Sequence, residues 1–187
     1  MLRNALIAAL LFATPAMAEG DGPGPNLVIT VSGAASGEVV IDLNPDVAPL
    51  HVAQIIALAK AGSYDNVVFH RVIDGFMAQT GDVKFGKLGG DTSMAGMGGS
   101  DMADIPAEFS DVPFERGIVG MARSQDPNSA NSQFFIMFAP GDFLNGQYTV
   151  VGKVISGMET VDLIKRGAGQ NGEVTEPDVM AKVVVVE

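Results

Sequence analysis

The segment FHRVIDGFMAQTGD, residues 69–82, contains two short apolar runs separated by an Asp-Gly dipeptide. β-Branched and aromatic residues on both sides of such a dipeptide are typical of a β-hairpin. Its strands can pair in two registers. A two-residue turn places His70 opposite Gln79, whereas a three-residue turn centred on Gly75 places Arg71 opposite Gln79. Opposite residues share one face of a sheet, so only the second register joins Arg71 to Gln79, and the residues alone leave the choice open.

The rest of the chain contains further strand patterns and two helix patterns. Strands are predicted at 26–32, 37–43, 67–73, 76–82, 117–122, 132–138, 148–155 and 179–186. Apolar residues at helical spacing predict one helix from Pro49 to a C-terminal stop at Gly62, and a second over 158–167 that ends at Gly167. About eight short strands and two helices indicate a single, mainly β domain. Closure into a barrel is favoured because it removes exposed sheet edges.

The first 18 residues have the features of a secretory signal peptide. Arg3 precedes an apolar run, and Ala16-Met17-Ala18 is an A-x-A cleavage site. The alternative is an uncleaved membrane anchor, but the run Ala5–Ala13 is far shorter than the ~20 residues that span a bilayer. We therefore predict a signal peptide at 1–18, a flexible leader at 19–25 and one domain at 26–187. The mature protein is expected to be exported and soluble, without a membrane span.

The composition excludes several classes of function. The net charge is −11, and removal of Arg3 with the signal peptide makes it more negative by one. Such a chain is a poor partner for nucleic acid or for anionic lipid, and the charge indicates a solubilising surface and a monomer. The chain has no cysteine, which excludes thiol catalysis and disulfide exchange. Its only histidines are His51 and His70, which excludes a histidine-rich zinc site.

Residues 84–104 form a glycine-dense segment that is nearly free of β-branched residues. A long loop in a compact domain tends to be functional or mobile. Asp91, Asp101 and Asp104 suggest calcium, but their spacing does not match an EF-hand loop and no glutamate closes the set. We therefore predict a wide loop on a β scaffold, without a metal.

Nucleophilic catalysis finds no support in the sequence. A Ser-His-Asp hydrolase of the α/β class needs a G-x-S-x-G turn, and none occurs. His70 lies within a predicted strand, and His51 lies at a helix start. The remaining candidates for a functional site are Arg71 and Gln79, which lie beside aromatic residues.

Three segments resemble the signatures of the cyclophilins, the peptidyl-prolyl cis–trans isomerases. They are FHRVIDGFMAQTGD (69–82), GIVGMARSQDPNSANSQFFIMF (117–138) and GDFLNGQYTVVGKVISGMETVD (141–162). The similarity continues in order from about Val28 to Val186 and is closest to bacterial periplasmic members. It implies a closed eight-stranded antiparallel β-barrel capped by two α-helices, and it implies the register that places Arg71 opposite Gln79.

The resemblance also implies an activity and a set of site residues. The reaction is rotation about X-Pro peptide bonds in unfolded or flexible polypeptides in the periplasm, without a cofactor. Arg71 is implied to donate to the prolyl nitrogen, and Gln79 to bind substrate backbone and brace Arg71. The proline pocket is implied to comprise Phe76, Met77, Phe135 and Leu144. The remaining substrate-binding residues are implied to be His70, Ala122, Arg123, Ser124, Gln133, Phe143 and Tyr148.

Each assignment has a plainer alternative. Arg71 could be a solvated strand arginine paired with Asp74 or Asp82, and the pocket residues could be ordinary core. His70 could be a structural strand residue. The protein could also hold peptides as a chaperone without turnover, or be a β-barrel carrier of small apolar ligands, although the apolar strands favour a packed interior.

Two departures from the family pattern concern inhibitor binding. Phe143 stands where many eukaryotic members have tryptophan, and Tyr148 where they have histidine. The indole N–H donor is therefore missing, and weak cyclosporin binding is expected.

Overall fold

The computed structural model describes residues 22–187, so the predicted signal peptide and most of the predicted leader lie outside the described residues. Within this described range, nine strands form one antiparallel sheet, accompanied by two α-helices and a short 3₁₀ turn. The strands are β1 (Asn26–Ser32), β2 (Gly37–Leu43), β3 (Val67–Val68), β4 (Arg71–Ile73), β5 (Met77–Thr80), β6 (Ile118–Met121), β7 (Phe134–Met137), β8 (Val150–Ser156) and β9 (Val179–Val186). The helices are α1 (Pro49–Lys60) and α2 (Met158–Leu163), and the 3₁₀ turn is Asp142–Leu144.

The predicted closed eight-stranded barrel is wrong in its strand count and in its closure. The sheet has the order β3-β9-β1-β2-β8-β6-β7-β5-β4 and curls through 295° without joining its ends. The segment 67–73, predicted as one strand, is two. At the break, Phe69 N donates to Asp178 O, and His70 O accepts from Val174 N. These bonds to the 174–178 segment replace the hydrogen bonds between strands. The chain therefore leaves the sheet at the edge strand β3 and re-enters it as β4, at the opposite edge.

The hairpin β4–β5 has the register that the residues alone left open. Arg71 pairs with Gln79, and Ile73 pairs with Met77. Phe76 N donates to Ile73 O, and Gly75 has a φ of 68°. This left-handed conformation suits glycine, which lacks a Cβ, and it makes the three-residue turn accessible.

Helix α1 covers one face of the sheet. Its apolar stripe, which includes Val52, Ile55 and Leu58, is buried. The residue before the helix, Ala48, provides no side-chain cap. The carboxylate of Glu108 instead accepts from the backbone N–H groups of Leu50 and His51 and from His51 Nδ1, which satisfies N–H groups that have no partner within the helix.

Helix α2 is shorter than the sequence predicts. It ends at Leu163 rather than at Gly167, because Ile164 is extended (ψ 129°). The backbone N–H of Lys165 donates to Asp178 Oδ2 at 2.7 Å, so a buried carboxylate takes the N–H that would continue the helix. Val161 and Ile164 are buried as predicted.

The apolar residues form two clusters. The larger one fills the space between the sheet and the helices. The smaller one lies at one end of the sheet and comprises Met77, Phe114, Ile118, Phe135, Met137, Leu144 and Val150. Three of its members are predicted proline-pocket residues. Within residues 22–187, every helix falls short of the length and apolar character needed to cross a membrane.

Candidate active site

An open pocket of about 390 Å³ lies above the smaller apolar cluster. Its lining includes ten of the thirteen predicted site residues: Arg71, Phe76, Met77, Gln79, Ala122, Arg123, Phe135, Phe143, Leu144 and Tyr148. Met77, Phe135 and Leu144 are at most 5 % exposed, so they belong to the core and also line the pocket. These three residues are therefore core residues, as in the plainer interpretation, but they also form part of the pocket wall.

Aromatic contacts build the walls of this pocket. Phe143, which is 66 % exposed, packs on Phe76 with ring centroids 5.4 Å apart. The Tyr148 ring meets Phe135 edge-on at 5.9 Å, and Phe135 stacks on Phe114 below it. Such ring pairs hold each other's orientation, so the pocket is preformed.

Arg71 is half-buried at the edge of the pocket and is held from two sides. Its Nε donates to Asn171 O at 3.0 Å, and its Nη1 donates to Gln79 Oε1 at 3.1 Å and lies 4.0 Å from Met77 Sδ. None of the hydrogen bonds formed within residues 22–187 uses Nη2. Burial lowers the pKa of Arg71 below its ordinary value, but an arginine remains charged at neutral pH.

The plainer alternative for Arg71, an ion pair with Asp74 or Asp82, does not occur. Asp74 instead pairs with Arg166 at 3.0 Å. Asp82 is fully buried and accepts from four backbone N–H groups, those of Lys84, Phe85, Gly96 and Gly98. Across the described part of the chain, no carboxylate lies within ion-pair distance of Arg71.

A chain of amide hydrogen bonds joins Arg71 to the glycine-rich loop. Gln79 Nε2 donates to Gln133 Oε1 at 2.9 Å, and Gln133 Nε2 donates to the carbonyls of Gly96 and Gly98 at 3.0 and 2.7 Å. Carbonyls only accept, so Gln133 must present its NH₂ to them and its oxygen to Gln79. Gln79 must then present its oxygen to Arg71. The order of donors therefore fixes both amide orientations.

The loop predicted over residues 84–104 is thereby fastened to the site. Asp82 joins the start of this loop, at Lys84 and Phe85, to the turn at 96–98 through backbone N–H groups, and Gln133 binds the carbonyls of the same turn. Nowhere in residues 22–187 do three acidic, histidine or cysteine side chains gather as they would to bind a metal. Asp104 instead accepts from Asn131 Nδ2 at 2.9 Å.

A second depression of about 510 Å³ adjoins the first and shares Gln79, Ala122 and Arg123 with it. Its lining adds the predicted residues Ser124 and Gln133 to the residues of the glycine-rich loop. The thirteenth predicted residue, His70, lines a third depression on the other side of Arg71.

His70 is 8 % exposed, and neither of its ring nitrogens has a hydrogen-bond partner among residues 22–187. Burial lowers the pKa of His70, the charge of Arg71 acts in the same direction, and Asp82 opposes both. The imidazole is therefore neutral at pH 7. This environment favours the structural interpretation of His70 over a direct chemical role.

Two residues of the site were missed from the sequence. Gln147 lines the pocket, and its carbonyl oxygen accepts from Arg123 Nε and Nη2. The carbonyl of Asn171 positions Arg71 from 100 residues away in the chain. Both act through backbone carbonyls, which leave no signal in residue types.

The site combines an apolar cup with a fixed guanidinium and hydrogen-bonding amides. Within residues 22–187, the imidazole next to Arg71 is that of His70, which is buried without a hydrogen-bond partner and therefore activates no nucleophile. What the site offers is an N–H donor beside a preformed apolar pocket, which suits a reaction that proceeds by redistributing charge within a bound ligand.

Comparison with known proteins identifies similar chains. The family model described as cyclophilin type peptidyl-prolyl cis-trans isomerase/CLD matches residues 27–185. A probable peptidyl-prolyl cis-trans isomerase of Brucella suis biovar 1 is 54 % identical over 189 residues, which cover 98 % of this chain and 96 % of the relative. Arabidopsis thaliana CYP18-1 is 38 % identical over 130 residues, 70 % of this chain and 78 % of that protein.

The fold has solved counterparts. A cyclophilin type isomerase of Cryptosporidium parvum, crystallised in the presence of the dipeptide Ala-Pro, matches with a TM-score of 0.73 and 27 % identity. The match covers 87 % of this chain and 99 % of that one. Cyclophilin AquaCyp293 of Hirschia baltica matches with a TM-score of 0.71 and 26 % identity over 87 % of this chain and 74 % of that one.

Proposed function

Because this chain belongs to the cyclophilin-type peptidyl-prolyl cis-trans isomerase family, we propose that it accelerates X-Pro rotation in unfolded or flexible polypeptides in the periplasm. We propose Arg71 as the group that donates to the prolyl nitrogen. Family membership makes the chain an isomerase.

The reaction needs no covalent chemistry. Resonance gives the peptide C–N bond its barrier of ~18–20 kcal/mol. A donor to the nitrogen lone pair removes that pair from conjugation and stabilises the twisted, pyramidal form. Lowering the barrier by about 4 kcal/mol accelerates rotation roughly 1000-fold. Because the lone pair is available only in the twisted state, this hydrogen bond acts selectively on the transition state.

One observation carries the proposal: Arg71 is clamped through Nε and Nη1 while Nη2 has no partner within residues 22–187. The clamp holds the guanidinium at the edge of the apolar pocket and leaves N–H groups for a ligand. A proline ring bound against Met77, Phe135 and Leu144 brings its nitrogen to that edge. The Ala-Pro dipeptide present with the Cryptosporidium parvum counterpart supports proline as the bound residue.

The remaining predicted residues have proposed roles around this centre. Phe76, Phe143 and Tyr148 close the rim, and Gln79 binds substrate backbone while bracing Arg71. Ala122, Arg123 and Ser124 line the groove for the residues before the proline, and Gln133 shapes the adjoining pocket. His70 contributes a neutral wall beside Arg71.

The proposed location follows from residues 1–18, whose charged start, apolar run and A-x-A site are those of a secretory signal peptide. Mass determination of the protein recovered from the periplasm tests this proposal. Cleavage after Ala18 is expected, and an intact N-terminus in a cytosolic fraction would contradict it.

A peptide isomerisation assay tests the function. Wild type is expected to catalyse isomerisation of an Ala-Pro peptide, and Arg71→Ala is expected to lose at least ~100-fold, about 2.7 kcal/mol, while its circular dichroism spectrum stays unchanged. Arg116→Ala is the matched control, because Arg116 pairs with Asp162 away from the pocket and the charge change is the same. A chaperone without turnover would suppress aggregation in all three proteins and show background isomerisation in wild type.

A further inference from the structure

The candidate pocket is positively charged on a strongly acidic protein. Among the described residues that line it, Arg71 and Arg123 are cationic, and none is an aspartate or glutamate. The whole chain has a net charge of −11. A concave site lined by one sign of charge concentrates ligands of the opposite sign, so this pocket attracts anionic groups that the rest of the surface repels.

Arg123 is held in place without being neutralised. Its guanidinium lies 4.3 Å from the centroid of the Tyr148 ring. Nε and Nη2 donate to Gln147 O at 3.3 and 2.9 Å, and Nη1 donates to Ser124 O at 2.9 Å and to Gln125 O at 3.5 Å. All of these acceptors are neutral carbonyls. Through residues 22–187, no carboxylate forms an ion pair with Arg123.

The hydrogen bonds that Arg123 forms within residues 22–187 leave one of its donors free. A guanidinium has five N–H groups, and the four contacts to carbonyls use at most four of them. One N–H on Nη2 remains, together with the full charge. Because the side chain is already ordered by Tyr148 and Gln147, a ligand carboxylate that pairs with it does not have to immobilise it.

Arg123 lies where the two adjoining depressions meet, since it lines both of them. Among the described residues that line the second depression, the one carboxylate is that of Asp104, and it already accepts from Asn131. A polypeptide whose proline occupies the first depression and whose preceding residues cross toward the second must pass Arg123.

We infer that Arg123 selects substrates with an acidic side chain at one of the two positions before the proline. The inference rests on the proposed function and specifies its substrate class. The attraction is that of a partly exposed ion pair, so a carboxylate is expected to raise kcat/KM about three- to five-fold over the neutral amide. This gain in kcat/KM falls as salt is raised from ~50 mM to ~500 mM, because added salt shortens the Debye length and screens the attraction between the two charges.

The test compares acetylated, amidated peptides of sequence Glu-Glu-Pro-Phe, Gln-Gln-Pro-Phe and Lys-Lys-Pro-Phe. The measured quantity is the ratio of kcat/KM for the Glu-Glu and Gln-Gln peptides in wild type, Arg123→Gln and Arg123→Lys. Lys60→Gln is the matched control, because it makes the same charge change at an exposed site on α1, where Lys60 pairs with Glu187.

The ratio is expected to exceed three in wild type and in Lys60→Gln, to stay above one in Arg123→Lys, and to fall to about one in Arg123→Gln. A wild-type ratio near one, or a high ratio that persists in Arg123→Gln or at ~500 mM salt, would overturn the inference. A wild-type ratio near one overturns the inference even when a variant does not fold, and Arg123→Lys provides a second variant that keeps the charge. If none of the peptides is turned over, the proposed function itself is overturned, and this inference with it.

Discussion

Gln79 lies directly opposite Arg71 in the hairpin, and its Oε1 accepts from Arg71 Nη1 at 3.1 Å. The other end of the same amide donates to Gln133, which donates in turn to two carbonyls of the glycine-rich loop. The position of the guanidinium is thus connected, bond by bond, to a loop on the other side of the groove.

Substitution of Gln133, the middle residue of this hydrogen-bonded chain, should weaken catalysis without changing the residues that line the apolar pocket. Gln133→Leu leaves Gln79 without its acceptor and Gly96 O and Gly98 O without their donor. Gln79 then rotates more freely, and Arg71 with it. We expect kcat to fall about tenfold, or ~1.4 kcal/mol, and amide hydrogen exchange at 96–100 to speed up. Gln125→Leu, at an exposed position, is the control; equal kcat in the two variants would contradict the connection.

Asp82 should be a principal determinant of loop stability. Its carboxylate accepts from four backbone N–H groups, and Asp82→Asn replaces one acceptor oxygen by a donor. Each oxygen accepts from two of these N–H groups, so two of them lose their acceptor, which costs about 2–3 kcal/mol for hydrogen bonds to a charged group. Urea denaturation measures this loss. Asp91→Asn, in the same loop but exposed, should change stability by less than ~0.5 kcal/mol, and a similar effect of both substitutions would count against the role of Asp82.

His70 should make the protein less stable in mild acid. Burial lowers the pKa of His70 in the folded state, so the unfolded state binds a proton at a higher pH than the folded state does. Stability is then retained above the unfolded value of ~6.5 and decreases as the pH falls below it. Between pH 7.5 and 5.5, His70→Phe should lose less stability than wild type, by up to about 1 kcal/mol. Parallel pH profiles of the two proteins, measured by chemical denaturation, would argue against this effect.

Weak cyclosporin binding remains a prediction, and a gain of function can test it. Phe143 is exposed and packs on Phe76, so a larger ring can replace it without entering the core. Phe143→Trp supplies an indole N–H, and one added hydrogen bond is worth about 1 kcal/mol, or roughly five-fold in affinity. Calorimetric titration with cyclosporin measures the change. Phe143→Met is the control, because it changes the apolar side chain without adding a hydrogen-bond donor, and an equal gain from it would show that the indole N–H is not the cause.

The sequence predicts elements whose signals are local. The strands β1, β2 and β9 have the predicted bounds, because β-branched runs end at clear turns, and α1 begins at Pro49 as predicted. The elements that differ are those decided by distant groups. Asp178 accepts from Lys165 N and so ends α2 early, and its carbonyl helps to split the predicted strand 67–73.

In the candidate site, too, the sequence predicts what has a local signal and misses what distant groups decide. Residue types and the family resemblance identify the groups that line the pocket, but not the contacts that orient them. The carbonyl of Asn171 and the carbonyls of Gly96 and Gly98 fix Arg71, Gln79 and Gln133. Backbone carbonyls are common to all residues, so no pattern of side chains could have predicted them.

Arg71 is proposed to act on the twisted peptide bond rather than on binding. Two-dimensional exchange NMR on an Ala-Pro peptide measures the on-enzyme cis–trans rate, and a chemical-shift titration of the same sample gives Kd. For Arg71→Ala we expect the exchange rate to fall by at least ~100-fold, about 2.7 kcal/mol, and Kd to change by less than ~10-fold. An exchange rate that survives in the bound peptide while Kd rises steeply would contradict this role of Arg71.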